Sequence, residues 1–372
     1  MGIFSLNLKS KPVQFLFTFL IALFGGIVFS LLHIPVPWLL GPMAFILIFT
    51  KLFRVSFYWP SKIRDTGLLI IGYSIGLSFT KEVLKEISLQ LPVMFLFTTL
   101  TLLLCFLLAF IVAKLSGVNF PTVLTGSIPG GLTQMVYFAE ETKGIDVSIV
   151  TFLQVVRLFV IIFTVPLLVF SPFFPGETSN IVKLGSESGA SQLINSLPEV
   201  LVYCTAIILF AILGKKANAP TPYLLGPIVA TICLNLTGLH GPELPVSFID
   251  MSQLMISVYI GMLLQVDKLK QHRNILWLSL ISGIILVTAS FVFSYLLHLI
   301  YKISVVTAFL SLAPGGMDQM GIIAHEVKAD LSFVAGFQMF RLLFIYFAVP
   351  PFLRWLFQRT THSNKKTPNA SN

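Results

Sequence analysis

The sequence is poor in charged residues and lacks the patterns that build disulfide frameworks or metal centres. Charged residues make up 10% of the 372 residues, whereas a soluble domain is usually about a quarter charged. The three cysteines stand alone in apolar stretches, and the six histidines show no metal-ligand spacing. Neither a Walker loop nor a dinucleotide fingerprint is present. We therefore expect no metal, no cofactor, no catalytic constellation and no ATP-driven pump.

Apolar residues dominate the chain instead. They make up 56% of it, and the mean hydropathy is +0.92. The runs Val13–Leu32, Leu91–Ala113 and Ile275–Leu297 are long enough to cross a bilayer, which takes roughly 20 residues. The net charge of +9 does not indicate nucleic acid, because the basic residues lie in short loops between apolar segments, where they act as topology signals. The composition predicts an all-α polytopic membrane protein with the lipid bilayer as its partner.

An internal repeat organises the chain. Residues Ser127–Glu141 (SIPGGLTQMVYFAEE) recur 185 positions later as Leu312–Glu326 (LAPGGMDQMGIIAHE). The motif around Pro37 (PWLLGP) recurs at Pro222 (PYLLGP) with the same offset, and the offset becomes 184 after Lys143. A tandem duplication explains all these matches. We predict a membrane repeat at 12–170, a linker at 171–196, a second membrane repeat at 197–357 and a disordered cytoplasmic tail at 358–372.

The topology depends on the segment that carries Pro-Gly-Gly in each repeat. If this segment crosses the membrane, each repeat has six spans and the repeats are parallel. If it re-enters, each repeat has five spans and the repeats are inverted. The five-span arrangement places most Lys and Arg residues on the cytoplasmic side, whereas the six-span arrangement comes closer to balancing them. The charge distribution favours ten spans and inverted repeats, with both termini in the cytoplasm.

The Pro-Gly-Gly breaks are candidate binding elements. Non-helical backbone at membrane depth is tolerated only where protein or water surrounds it, and each break exposes the N-terminus of the following half-helix, which favours an anion. A kinked helix without a ligand role is the alternative. The candidate site residues are the turns and their neighbours, namely Pro129, Gly130, Gly131, Gln134, Pro314, Gly315, Gly316, Asp318 and Gln319.

Arg157 and Arg341 occupy matching positions within apolar spans, and Gln154 and Gln338 precede them on the same helix face. A buried arginine costs roughly 2.5–3.5 kcal/mol on insertion scales, so each needs a partner. The functional interpretation is a bidentate clamp on an anionic substrate. The structural interpretation is a pairing with an acidic residue or a backbone carbonyl.

Acidic residues within the spans have several open roles. Asp318 breaks the repeat symmetry, since its counterpart is Thr133. It could cap the helix, carry a proton or bind a cation. Asp65 and Asp250 open their predicted spans and are predicted to be N-caps.

The motifs PWLLGPM, SIPGG-x-x-QM, TPYLLGP, APGG-x-D-QM and Q-x-x-R-L resemble those of the bacterial AbrB-type integral membrane family, over roughly residues 10–357. The resemblance implies a duplicated membrane domain in the bacterial cell membrane. Members of that family carry the labels of regulators of gene expression, of ammonia monooxygenases or of transporters. The monooxygenase label lacks the metal-ligand sets it requires in this sequence.

The sequence therefore predicts a multi-pass secondary transporter of a small anion or zwitterion, coupled to H⁺ or Na⁺, rather than an enzyme. The pocket would combine the two Pro-Gly-Gly turns with the Gln/Arg pairs. The alternative is a membrane-embedded ligand sensor that affects gene expression indirectly. The sequence leaves open a homodimer.

Overall fold

The computed structural model describes residues 10–53, 57–171, 197–239, 241–263 and 273–364, which form helices and no strand. The first half contains α1 (Lys11–Leu31), α2 (Pro37–Phe53), α3 (Ser61–Leu77), α4 (Lys81–Ser116), α5 (Phe120–Ser127), α6 (Leu132–Glu141) and α7 (Val147–Val169). The second half contains α8 (Leu197–Lys216), α9 (Pro222–Leu236), α10 (Val246–Leu263), α11 (Arg273–Tyr301), α12 (Val305–Leu312), α13 (Met317–Glu326) and α14 (Leu331–Asn364).

The two halves repeat the same series of helices. Among the described residues, six helices are long and apolar enough to cross a membrane: α1, α4, α7, α10, α11 and α14. Two shorter apolar helices, Pro37–Thr50 and Pro222–Leu236, lie in α2 and α9. The all-α polytopic membrane class is thereby confirmed. The number of spans and the inversion of the repeats stay predictions.

The helices of the two halves interleave in two bundles. The first bundle combines α1–α3 with α8–α10, and the second combines α4–α7 with α11–α14. Matching pairs form matching contacts: α1 packs on α2 as α8 packs on α9, and α3 packs on α9 as α10 packs on α2. The bundles meet where α13 and α14 pack against α3. Each bundle therefore needs helices from both repeats, and neither repeat forms a bundle by itself.

Small residues set the spacing in the first bundle. A Cβ added at Gly41 would lie 2.3 Å from the Gly25 carbonyl oxygen, so the backbones of α1 and α2 are in direct contact there. Gly226 of α9 approaches the backbone of Ala211 in α8 in the same way. Close approach at small residues is how membrane helices associate, because lipid provides no hydrophobic drive between helices.

Three predictions on element boundaries are affected. Asp65 and Asp250 are not N-caps, because α3 begins at Ser61 and α10 at Val246, a turn earlier. The tail predicted at 358–372 stays a prediction, although α14 extends into it as far as Asn364. No proline or glycine interrupts the helix after Pro351, so nothing stops its propagation there. The rest of the tail, and the linker apart from Ser171, lie outside the described residues.

Candidate functional site

Each Pro-Gly-Gly motif breaks a helix in the same way. Ile128 ends α5 in an extended conformation, which the following proline favours because its ring disfavours helical geometry in the residue before it. The Gly130 N–H donates to the Ile128 carbonyl at 2.8 Å. At the second break, Ala313 is also extended, and the Gly315 N–H donates to the Ala313 carbonyl at 2.8 Å. The two turns therefore share one backbone geometry.

The first broken segment returns to the side from which it came. At its start, the Asn119 Nδ2 donates to the Gly144 carbonyl at 2.6 Å, and Gly144 lies in the loop that follows α6. The Asp146 N–H, at the start of α7, donates to Thr122 Oγ1 at 3.0 Å. Both ends of the α5–α6 segment therefore lie at the beginning of α7. Its turn instead reaches Arg157, in the middle of α7. We call this segment hairpin 1.

The second broken segment, α12–α13, has matching anchors and is called hairpin 2. The Asp330 N–H, at the start of α14, donates to Thr307 Oγ1 at 3.2 Å, and Ser304 caps α12. The turn at Gly315 lies beside Arg341, in the middle of α14. None of these anchoring residues was among those predicted from the sequence. Their recurrence at the repeat offset, Asn119 with Ser304 and Thr122 with Thr307, was a usable signal.

The Gln154/Arg157 pair holds the end of α5. Gln154 Nε2 donates to the carbonyls of Thr125 and Ile128, at 3.1 and 2.9 Å. Arg157 Nη1 donates to the carbonyls of Gly126 and Ser127, at 3.4 and 2.8 Å. The last carbonyls of a helix lack partners within the helix, and a cation favours this negative end of the helix dipole. The pair thus satisfies a helix terminus inside the protein.

The Gln338/Arg341 pair does the same for hairpin 2. Arg341 donates to the carbonyls of Leu312, Ala313 and Gly315, at 3.2, 2.8 and 2.9 Å. Gln338 Nε2 donates to the carbonyls of Leu310, Ser311 and Ala313. Each arginine also donates to the Oε1 of its own glutamine. All four side chains are buried, with exposed fractions of 2–7%.

These contacts correspond to the structural interpretation of the arginines. Both terminal nitrogens of each guanidinium face carbonyl oxygens, so neither arginine presents a free fork to an anion. Arg157 Nε has no hydrogen-bond partner within the described ranges. It adjoins a cavity between Cys105, Ser127 and Ser282 that has room for about one water molecule. A cavity of the same size beside Arg341 is lined by Thr98 and Thr101.

The turn of each hairpin touches the long helix of the other repeat. A Cβ at Gly130 would lie 3.2 Å from Cγ2 of Ile345 in α14, and a Cβ at Gly315 would lie 3.1 Å from Cγ2 of Ile161 in α7. Ile161 and Ile345 are themselves a repeat pair. Arg157 and Ile161 are one helical turn apart on the same face of α7. Each long helix therefore contacts its own hairpin and then the turn of the other.

The half-helices that follow the turns begin without a side-chain cap. Gly131 is the N-cap of α6 and Gly316 is the N-cap of α13, and neither position has a side-chain acceptor. The first N–H groups of a helix have no partner within it, so these ends attract anions. In hairpin 2, the acidic side chain of Asp318 lies in this first turn.

The glutamines after the turns have different partners in the two hairpins. Gln134 Nε2 donates to the Tyr346 carbonyl of α14 at 3.2 Å. That carbonyl is available because Pro350, four residues further along, has no N–H to bond it. Gln319 Nε2 instead donates to Asp318 Oδ2 at 2.6 Å, and the buried Gln319 Oε1 has no partner in the part of the chain that the structure describes. Hairpin 1 is thus tied to the opposite repeat, whereas the tip of hairpin 2 presents acceptor oxygens.

Comparison with known proteins identifies the family. A family model described as "Transition state regulatory protein AbrB" matches residues 38–357, which is most of the chain. This chain therefore belongs to the AbrB family, as its motifs indicated. It is 24% identical to "Uncharacterized protein YhjN" of Bacillus subtilis, over 93% of this chain and 94% of the relative. It is 25% identical to "Putative regulator AbrB" of Escherichia coli, over 93% of this chain and 97% of the relative. Neither relative has the name of an enzyme.

Proposed function

We propose that this protein is a secondary transporter of a small zwitterion or anion, and that the tips of the two hairpins form its binding site. The observation that carries the proposal is the pair of returning hairpins, each with its turn against the long helix of the other repeat. Broken helices meeting at a repeat interface are how secondary transporters build their sites. The site residues are Pro129, Gly130, Gly131 and Gln134 of hairpin 1, and Pro314, Gly315, Gly316, Asp318 and Gln319 of hairpin 2.

The role of the arginines follows from their partners. Arg157 and Arg341 fix the carbonyl ends of α5 and α12, with Gln154 and Gln338, and so hold the turns in place. They act as positioning residues. The negative group of the substrate would instead be bound by the uncapped N–H groups at the start of α6.

The difference between the two tips favours a zwitterion over a simple anion. Hairpin 1 has Thr133 where hairpin 2 has Asp318. No lysine or arginine among the described side chains forms a salt bridge with Asp318, and the buried Gln319 Oε1 beside it has no donor. A positively charged group would supply the counter-ion that Asp318 lacks and the donor that Gln319 Oε1 lacks. A small molecule with a carboxylate and an ammonium group would fit both tips.

The proposed topology is five spans in each repeat, with the repeats inverted. A hairpin that returns to its starting side leaves each repeat with α1–α4 and α7, or α8–α11 and α14, as crossing elements. An odd number of crossings inverts the second repeat relative to the first, in agreement with the distribution of Lys and Arg. The range 171–196 would then be extracytoplasmic.

A membrane-embedded sensor is the second candidate function. The family description and the name of the Escherichia coli relative both refer to regulation. The same tips would then bind a ligand without moving it across the membrane. Flux separates the two functions, because a sensor binds and does not transport.

The test is uptake into proteoliposomes that contain the purified protein, against a panel of small carboxylates and amino acids. A transporter accumulates or exchanges at least one member of the panel. We expect Asp318→Asn to reduce zwitterion uptake about tenfold or more, because a charge-assisted hydrogen bond contributes about 1.5–3 kcal/mol. Glu141→Gln is the matched control and should transport as the unmodified protein does, since Glu141 lies at the far end of hairpin 1.

Ligand binding to the same preparations completes the test. Thermal stabilisation by a panel member without any flux would favour the sensor. Equal uptake by the Asp318→Asn variant and the unmodified protein would contradict a role for the hairpin 2 tip in substrate binding.

A further inference from the structure

Two acidic positions recur in the repeats with different partners. Asp65 recurs as Asp250, and Glu141 recurs as Glu326, both at the offset of 185. In the first repeat each acid is paired with an arginine. Arg64 Nη2 lies 2.6 Å from Asp65 Oδ1, and Arg354 Nη2 lies 2.6 Å from Glu141 Oε2.

The corresponding acids of the second repeat have no such arginine partner among the described residues. The counterpart of Arg64 is Ile249, and no described lysine or arginine forms a salt bridge with Asp250 or Glu326. The two carboxyl groups interact electrostatically with each other instead. Two acids that each have an arginine partner in the first repeat therefore lie within electrostatic range of each other in the second, where neither forms a salt bridge with a described lysine or arginine.

A buried glutamine joins this pair. Gln253 lies one turn after Asp250 on α10 and is 0% exposed. Its Nε2 donates to Glu326 Oε1 at 3.0 Å, whereas its Oε1 has no hydrogen-bond partner among the described residues. An acceptor oxygen buried beside a carboxyl group needs a donor. The unsatisfied Gln253 Oε1 is evidence for a missing hydrogen that is independent of the acidic residues.

A single proton could both neutralise one of the two carboxylates and provide the donor that Gln253 Oε1 lacks. Two carboxylates that share a site repel each other, and binding one proton between them removes that repulsion. The protonated carboxyl group gains an O–H, which can donate to the second carboxylate or to Gln253 Oε1. The proton comes from water on one side of the membrane and returns to water when it is released, so no other reactant is needed.

We propose that Asp250, Gln253 and Glu326 form a proton-binding site that holds one exchangeable proton between the first and second bundles. Asp250 and Gln253 belong to α10 of the first bundle, whereas Glu326 belongs to α13, the second half of hairpin 2. Protonation favours contact between α10 and α13, and deprotonation disfavours it. Since α13 also carries the tip with Asp318, this site would couple proton movement to the substrate. Only that coupling rests on the proposed transport function.

Other charged or titratable groups also lie on the helices around the site, and the variants must distinguish the titration of Asp250 and Glu326 from theirs. Arg64 and Arg354 are held by their carboxylate partners, and Arg341 by carbonyls. The remaining described ones are Lys11 of α1, Lys62 and Tyr73 of α3, Tyr259 of α10, Asp318 and His325 of α13, and Tyr346 of α14.

The experiment is infrared difference spectroscopy of the purified full-length protein in lipid, recorded while the pH is stepped between mildly acidic and mildly alkaline buffer. The unmodified protein should show the carbonyl band of a protonated carboxylic acid that disappears on deprotonation. Glu326→Gln and Asp250→Asn should each lose this titrating band. The two variants are independent, so the failure of one to fold leaves the other to decide. Asp65→Asn is the matched control in the first repeat and should keep the band.

Three results would overturn the proposal. The band could be absent from the unmodified protein, it could persist in both second-repeat variants, or Asp65→Asn could remove it equally. Addition of Na⁺ at constant pH tests another cation, and stabilisation by Na⁺ in place of a protonated carboxyl would also contradict a proton site. The infrared measurement does not require transport. The proton-site proposal can therefore be upheld even if no substrate of the panel is transported.

Discussion

The two repeats share their framework and differ in their charges. Both contain a returning hairpin, a long helix that begins at its base, and a Gln/Arg pair bonded to the hairpin carbonyls. They differ at the hairpin tips, where Thr133 of the first repeat corresponds to Asp318 of the second. They also differ in the partners of the two recurring acids. What both repeats retain therefore builds the fold, whereas the unpaired acidic side chains are a feature of the second repeat among the described residues.

The difference has a physical basis. A glutamine and an arginine that cap a helix end inside the membrane cannot be lost from either half, because buried carbonyls without donors are costly. An acid paired with an arginine near the surface, such as Glu141 with Arg354, contributes little. Such a pair can be absent without a large loss of stability, and in the second repeat neither Asp250 nor Glu326 forms a salt bridge with a described lysine or arginine.

The strongest test of the shared framework is removal of each arginine. We expect Arg341→Met to lower the free energy of unfolding by about 3–5 kcal/mol, since it leaves three buried carbonyls without their charged donor. Arg157→Met should cost somewhat less, because Arg157 donates to two carbonyls. Unfolding in mixed micelles with increasing SDS measures both values, with the exposed Arg354→Met as control.

Arg→Lys variants of the same positions separate positioning from substrate binding. Lysine keeps the charge and loses the planar fork. If these variants fold as stably as the unmodified protein and lose only ligand binding, the arginines clamp an anion after all, and the framework interpretation is wrong.

A smaller effect is expected where helix backbones touch. In Gly41→Ala the new Cβ would lie 2.3 Å from the Gly25 carbonyl oxygen, and in Gly226→Ala 2.6 Å from the backbone of Ala211. Each variant should lose about 1–3 kcal/mol of stability, because backbone atoms have to move apart. Gly214→Ala is the control, since its nearest neighbour would be 3.4 Å away. Similar losses of stability in both repeats would support the conclusion that they pack their helices in the same way. A loss in only one repeat would contradict it.

The smallest effect is expected for the arginine-paired acid of the first repeat. Glu141→Gln should change the free energy of unfolding by less than about 1 kcal/mol, because both partners of its ion pair are more than half exposed. Unfolding in mixed micelles with increasing SDS, at low and at high salt, provides the measurement. A loss comparable to that of the arginine variants would show that the first repeat also depends on its acids, and it would weaken the contrast between the repeats.

Much of the fold could be predicted from the sequence. Composition determined the membrane class, the repeat determined that the halves share one series of helices, and the prolines located both breaks. The spacing of Gln154 and Arg157 predicted a common helix face. These features are local or periodic, so they can be derived from a chain without knowing what it contacts.

The tertiary structure decided what the patterns could not. A Pro-Gly-Gly motif breaks a helix whether the chain continues or returns, and only the contacts of Thr122 and Asn119 with the start of α7 fix the return. A buried arginine needs a partner, but its side chain is long, so the partner depends on which distant segment of the chain packs beside it. Here that is a helix end rather than an acid. The sequence alone determined which buried polar groups need a hydrogen-bond partner. Packing between distant segments decided which partner each group has, because a partner is fixed only when the whole chain is folded.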